Sequence, residues 1–218
     1  MRALSLQLAA ALLIGTSSTA AAADLLDPAT GTRFEAEPTV DGTDFRCLGA
    51  GVPVSHGYAV TFCVEAEQAE AIDALVKLVY PDSAGASLER MLAKDQDFFD
   101  ALTEVPGDKL VVLHLVSDTS RGSLSEAFRS ALSSQLEKGK LDRLVGLVAE
   151  GGARGESALI YSHGAQVTVD VGGVSHSLED DEIAQKLWQT WLGPKSISPT
   201  LKASIAHTAA CRGIPSSA

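Results

Sequence analysis

Hydrophobic positions in this chain follow three different rhythms, and each rhythm predicts its own element. Between Gly31 and Glu65 short extended runs are separated by Asp41-Gly42, a dipeptide that favours a tight hairpin turn. Gly57 to Glu65 is rich in β-formers and puts Tyr58, Val60, Phe62 and Val64 on one face of a strand. From Glu67 to Tyr80 the period lengthens. Ile72, Leu75, Val76 and Val79 then share a helical face, and Pro81 stops the helix. A second helix is predicted from Ser87 to Glu104, carrying Leu88, Met91, Leu92, Phe99 and Leu102. After the turn Pro106-Gly107-Asp108, the segment Lys109 to Asp118 is almost continuously apolar. Apolarity on both faces predicts a strand in the middle of a sheet.

Helical spacing returns with Leu124, Phe128, Leu132 and Leu136, then with Leu141, Leu144, Val145 and Val148. Beyond the break at Gly151 to Gly155, two strands are predicted, Ser157 to His163 and Gln166 to Val171. Gly172-Gly173 turns the chain into a short third strand, Val174 to Leu178. Asp180 or Asp181 is placed to cap a helix bearing Ile183, Leu187 and Trp191, with Gly193 and Pro194 ending it. Ser198-Pro199 opens a last helix. The order of strands and helices predicts an α+β fold, an open and mainly antiparallel sheet backed by a layer of helices.

The first residues change the picture of where the chain works. Arg2 precedes the apolar stretch Ala3 to Gly15, and Ala21 and Ala23 fit the small-residue pattern of a cleavage site. Residues 1–23 are therefore expected to be a signal peptide, and 24–218 one soluble domain in the periplasm or outside the cell. The apolar run falls short of the roughly 20 residues that a membrane-spanning helix needs, so no stable membrane insertion is expected once the leader is removed. Loss of Arg2 leaves 16 basic against 28 acidic residues, a net charge of −12. That charge repels nucleic acid, which is excluded as a partner.

Three cysteines are present, Cys47, Cys63 and Cys211. The first two lie on neighbouring predicted strands, so a bond between them competes with two small buried thiols. No C-x-x-C and no histidine pair at ligand spacing is found, so neither a metal nor a cofactor is expected. His114 sits inside the apolar strand and reads first as a core or cleft-edge histidine bonded to a neighbour such as Asp118, and second as a base. Trp188 and Trp191 read as packing against the sheet rather than as a ligand cage.

Four segments, in order, resemble the chalcone isomerase-like family, and its exported bacterial members most. They are Gly49 to Val52 with Tyr58 to Glu65, Lys109 to Leu132, Ala158 to Val171, and Trp188 to Ile205 (WQTWLGPKSISPTLKASI). The resemblance implies an open sheet with helices on one side and a ligand in the cleft between them. It also implies where functional residues should fall. The family's arginine after the G-x-G-V step is replaced by Pro53, which carries neither charge nor donor. Its strand threonine falls near Tyr58, its helix tyrosine near Leu124, its asparagine near Ala131, and its serine or threonine at Thr190.

Ring closure of a chalcone needs a cation and hydroxyl donors aimed at developing charge, and Pro53, Leu124 and Ala131 supply neither. No catalytic residue is assigned. The expected function is non-catalytic binding of a small apolar or amphipathic, fatty-acid-like molecule in the cleft. Its ligand-binding residues are Tyr58, His114, Leu124 and Thr190. With Pro53 in place of arginine, a carboxylate head would have to meet another base such as Lys109 or Arg46. A preformed apolar cavity of roughly several hundred Å³, the form such a site usually takes, would support this reading, and a filled one would count against it. Two alternatives stand beside it. One is an isomerase (an intramolecular lyase of the chalcone–flavanone type) with a rearranged site using His114 or Tyr58. The other is an envelope interaction module, marked by a closed cleft and an exposed apolar patch.

Overall fold

The computed structural model describes residues 24–53, 57–117, 121–148 and 152–212. The leader expected over 1–23 lies outside them, as does Asp118.

Seven strands form one sheet: β3 (Thr39–Val40), β4 (Thr43–Gly51), β5 (Tyr58–Glu65), β6 (Lys109–Leu115), β7 (Ser157–His163), β8 (Gln166–Val171) and β9 (Val174–Glu179). They lie in chain order and every neighbouring pair is antiparallel. A separate short ribbon pairs β1 (Leu25–Leu26) with β2 (Arg33–Phe34). The helices are insertions in this meander. α1 (Ala66–Val79), α2 (Gly85–Leu92) and α3 (Gln96–Glu104) separate β5 from β6; α4 (Arg121–Leu132) and α5 (Lys138–Leu147) separate β6 from β7. α6 (Asp181–Lys186), α7 (Gln189–Leu192) and α8 (Pro199–Arg212) follow β9. Despite the long insertion, β5 and β6 pair over their whole length, from Tyr58 opposite Leu115 to Val64 opposite Lys109.

Both faces of the central strands are covered, which accounts for the unbroken apolar run of β6. Tyr58, Val60, Phe62 and Val64 join Val111, Leu113, Leu115 and the helices in the main core. The opposite face carries two smaller clusters, Phe34–Ala50–Val52–Ala59 and Phe45–Cys47–Cys63–Leu110, and Leu25 of the short ribbon packs on both. Cys47 and Cys63 stand directly opposite each other on β4 and β5 and are joined in a buried disulfide. That resolves the sequence ambiguity in favour of the bond and leaves Cys211 free and exposed.

Turn chemistry follows the sequence. Asp41 and Gly42 both take left-handed backbone angles, φ 50° and 82°, as a two-residue Asp-Gly hairpin requires. Gly51 serves a different purpose. A Cβ there would lie 2.4 Å from the Leu201 nitrogen, so the missing side chain lets α8 lie directly on β4. Ser198 and Thr200 fasten the same contact by donating to the Val52 carbonyl at 2.7 Å each, and the Val52 amide donates to Thr200 at 2.8 Å.

Three expectations about helices need correction. The helix expected over Ser87 to Glu104 is two, α2 and α3. Asp95 accepts hydrogen bonds from the Asp97 and Phe98 amides and so starts a new helix where the apolar spacing alone continues the old one. The helix expected through Ile183, Leu187 and Trp191 is likewise split into α6 and α7. On α1 the buried residues are Ala69, Ile72 and Val76, and the expected core residues Leu75 and Val79 are exposed. Among the described residues no helix is long and apolar enough to cross a membrane.

Candidate functional site

The space between sheet and helices is bounded below by β5, β6, β7 and β8 and above by α4, α5 and α7. Tyr58 projects from the sheet into this layer, as the alternation of β5 requires, and is 3% exposed. Its strand partner Leu115 lines a small apolar cavity with Leu113, Leu124, Val148, Ile160 and Val169. Leu124 belongs to α4. Four residues on, Phe128 meets the Trp191 ring edge-on with centroids 5.4 Å apart. Thr190 precedes Trp191, and both are fully buried on α7.

α7 is only four residues long, so its position is set by neighbours. Gln189 donates to the Thr103 hydroxyl at 3.0 Å and Gln96 to the Leu192 carbonyl at 3.0 Å, which ties α7 to α3. Lys202 of α8 donates to Gln96 at 2.7 Å and lies 4.3 Å from the centre of the Phe99 ring. Trp188, at the start of the turn, packs edge-on against Phe62 of the sheet at 5.9 Å. α7 is thereby held by α3 through Gln189 and Gln96, and its first turn rests on the sheet through Trp188 and Phe62.

Three polar atoms in this region are buried without a hydrogen-bond partner among the described residues: Tyr58 Oη, Thr190 Oγ1 and Trp191 Nε1. The indole N–H of Trp191 lies near the Tyr58 oxygen and favours its ionised form, yet is outside hydrogen-bonding geometry. Burial outweighs it and pushes the Tyr58 phenol well above its ordinary value, so the hydroxyl stays protonated. All three groups can donate. Orphaned buried donors are uncommon, because each carries the unrepaid cost of leaving water, about 1–3 kcal/mol. Tyr58 Oη and Trp191 Nε1, which lie near each other, mark a place suited to an acceptor oxygen.

Tyr58, Leu124 and Thr190 of the expected ligand residues therefore share one core, while His114 does not reach it. Residues alternate across β6, and with Leu113 and Leu115 facing the helices, His114 faces the other way. Its Nδ1 is 3.3 Å from the Ser157 hydroxyl on the adjacent strand. Lys109 and Arg46 are also distant. Lys109 and Tyr58 lie at opposite ends of the β5–β6 pairing, six residue pairs apart, roughly 20 Å along the sheet. Lys109 is buried and donates to the Val105 carbonyl at 2.5 Å. Burial holds its pKa below the ordinary lysine value, and it lines an open polar groove of about 520 Å³ with Thr103, Ser162 and Gln189. Arg46, opposite Val64 at that same far end, pairs with Glu37 at 3.7 Å.

The apolar cavity beside Tyr58 measures about 10 Å³, which is the space of one water. Among the described residues this cleft holds no preformed cavity of roughly several hundred Å³; Leu124 and Val148 line what space remains, which counts against a preformed site here. Sequence reasoning missed Trp191 as a polar participant. Its spacing from Trp188 announced a buried aromatic pair, and nothing in that spacing tells which indole N–H finds an acceptor.

No family model and no curated protein matches the sequence. Among solved structures, the chain is similar to the fatty-acid binding protein of Arabidopsis thaliana, with a TM-score of 0.65 and 16% sequence identity. The match covers 88% of this chain and 99% of that one. The fold is thus the α+β, chalcone isomerase-like arrangement of a curled antiparallel sheet backed by helices.

Proposed function

We propose that this chain is an exported, single-domain binder of a small amphipathic, fatty-acid-like molecule, held head-first between the sheet and α4–α7. The observation that carries this reading is the set of three buried, unpartnered donors, Tyr58 Oη, Thr190 Oγ1 and Trp191 Nε1. An acceptor oxygen placed beside Tyr58 Oη and Trp191 Nε1 receives hydrogen bonds that no described residue supplies. The tail then runs over Leu113, Leu115, Leu124, Ile160 and Val169. The likeness in fold to a fatty-acid binding protein supports the same class of ligand. The buried disulfide and the leader-like start support an oxidising compartment.

The head group is uncharged on this reading. A carboxylate buried beside neutral donors lacks a compensating cation, and both Lys109 and Arg46 sit at the far end of the sheet. A protonated acid, an ester or another carbonyl compound suits the site. Entry requires α4 to lift, since the closed cleft holds about 10 Å³. The main contacts of α4 are with α5 and α7 rather than with the sheet, which supports assigning it the role of cover. Tyr58 acts as a donor and not as a base, and His114 is on the opposite face, so neither serves the rearranged isomerase as a base in this cleft.

The test is native mass spectrometry of the full chain purified from the periplasm, with solvent extraction of whatever it carries. A bound small amphipathic molecule, lost in the double variant Tyr58→Phe/Trp191→Phe, supports the binder. An empty protein that also takes up no fatty acid or ester when incubated with them rejects it.

A second reading is favoured by α1. Leu75, Leu78 and Val79 are 42%, 77% and 55% exposed, and Leu75 and Val79 border a groove of about 240 Å³ with Tyr80 and Phe98. A closed cleft beside an exposed apolar helix face fits an interaction module. If Leu78→Glu abolishes a crosslinked envelope partner while the cleft takes up no ligand, this reading replaces the first.

A further inference from the structure

Cys211 is not a bare surface thiol. Its Sγ lies 3.6 Å from His207 Nε2, one helical turn earlier on α8, and His207 Nδ1 lies 3.0 Å from Glu89 Oε2 on α2. A carboxylate only accepts, so the hydrogen of the neutral ring is on Nδ1 and Nε2 is left to accept from the thiol. The order is nucleophile, base and orienting acid, the arrangement that activates a weak nucleophile. The last turn of α8 is fixed as well. Arg212 donates to the Cys47 carbonyl at 3.3 Å and lies 4.0 Å from Asp73, which fastens the segment to β4 and α1. All three groups of the constellation are open to solvent: Cys211 is exposed, and the His207 and Glu89 side chains are 60% and 39% exposed. Since Cys47 and Cys63 are bonded to each other, Cys211 is the one free thiol of the chain.

We propose that Cys211 is a modification site that takes a low-molecular-weight disulfide by thiol–disulfide exchange, with His207 as its base and Glu89 as the positioning residue. In the exchange, Sγ attacks one sulfur of the incoming disulfide and His207 Nε2 takes the thiol proton. A new S–S bond forms to Cys211, the old one breaks, and the departing thiolate receives the proton from the imidazolium. Electrons balance without an external oxidant. Charge stays on sulfur throughout, so the reaction needs no oxyanion donors and suits an open helix face. This site is independent of the cleft, and its outcome leaves the ligand-binding proposal untouched.

The test uses the full chain and 2-hydroxyethyl disulfide, a neutral probe that the acidic surface does not repel. Intact mass and the initial rate of adduct formation are measured. One adduct per chain is expected in the unaltered protein and none in Cys211→Ser. His207→Ala is expected to slow the reaction about tenfold or more, within the range of general-base contributions, and added imidazole to restore much of the rate. Glu89→Gln is expected to slow it less and to be rescued in the same way; imidazole would not repair a merely structural loss. Equal rates in the unaltered protein and His207→Ala, or slow variants that imidazole leaves slow, would overturn the proposal.

Discussion

Tyr58 places a hydroxyl where no described residue offers an acceptor for it. The residue is therefore better suited to a bound molecule than to the free fold. Tyr58→Phe removes the desolvated group while keeping the ring, so the free protein is expected to gain stability or stay level, within about 1 kcal/mol. Affinity for the ligand is expected to fall up to about tenfold, the worth of one hydrogen bond. Denaturant unfolding and a fluorescence titration measure the two effects. A loss of more than about 1 kcal/mol on unfolding would show that the hydroxyl already has a structural partner. A second residue-scale prediction concerns His163. The hydrogen bond from Nδ1 to the buried Asp108, at 2.7 Å, together with the Asp108 charge, raises its pKa above the ordinary 6.5. Its contribution to stability is thus fully present below that ordinary value and is lost as pH rises through the raised one. Melting temperatures of the unaltered protein and His163→Asn, compared from about pH 5 to about pH 8, are expected to draw closer as pH rises. Parallel profiles would contradict this. At this scale the sequence was only partly readable. Alternation placed Tyr58 on the buried face, and the resemblance pointed to Leu124 and Thr190. The same alternation puts His114 on the opposite face from Leu113 and Leu115, yet an unbroken apolar strand gives no clue to which face carries the helices.

Elements were more legible than their ends. The strands and most helices announced themselves by period, but the Asp95 cap broke one predicted helix in two. A capping aspartate inside an apolar repeat is visible in the sequence and is overruled there by spacing alone. The close approach of α8 to β4 was not legible, since Gly49 and Gly51 read simply as strand and turn. A Cβ at Gly51 would lie 2.4 Å from backbone nitrogen and one at Gly49 would lie 2.7 Å from another. Gly51→Ala is expected to destabilise the fold by about 2 kcal/mol or more, because backbone and not a flexible side chain must yield. Equal stability by denaturant unfolding would show that α8 does not lie on β4 as closely as described. The disulfide also acts at this scale. It links residues separated by 16 positions across the β4–β5 hairpin. Replacing both cysteines by alanine is expected to cost about 3 kcal/mol through the greater freedom of the unfolded chain, measured by unfolding under non-reducing conditions.

For the molecule as a whole, the hydrophobic pattern gave the class of fold, and the sheet order followed from short connections at each end and helical insertions between. What the pattern could not give was the volume left inside. Cavity size depends on how Leu124 and Val148 pack, and a repeat of apolar residues every four positions is the same for an open cleft and a closed one. On the proposed reading, closure has a consequence for binding: a ligand would have to displace α4, and a larger side chain at position 124 would occupy the same path. The net charge of −11 adds a long-range preference for ligands without negative charge. An uncharged head therefore suits both the donors around Tyr58 and the field outside.

The most direct measurement is calorimetric titration of dodecanoic acid and its methyl ester, at neutral pH, into the unaltered protein and into Leu124→Trp with its fold verified by circular dichroism. Saturable one-to-one binding of the ester, at least as tight as that of the acid and abolished by Leu124→Trp, is the expected result. Heat that never saturates in the unaltered protein, or an affinity that Leu124→Trp leaves intact, would contradict a ligand site between the sheet and α4.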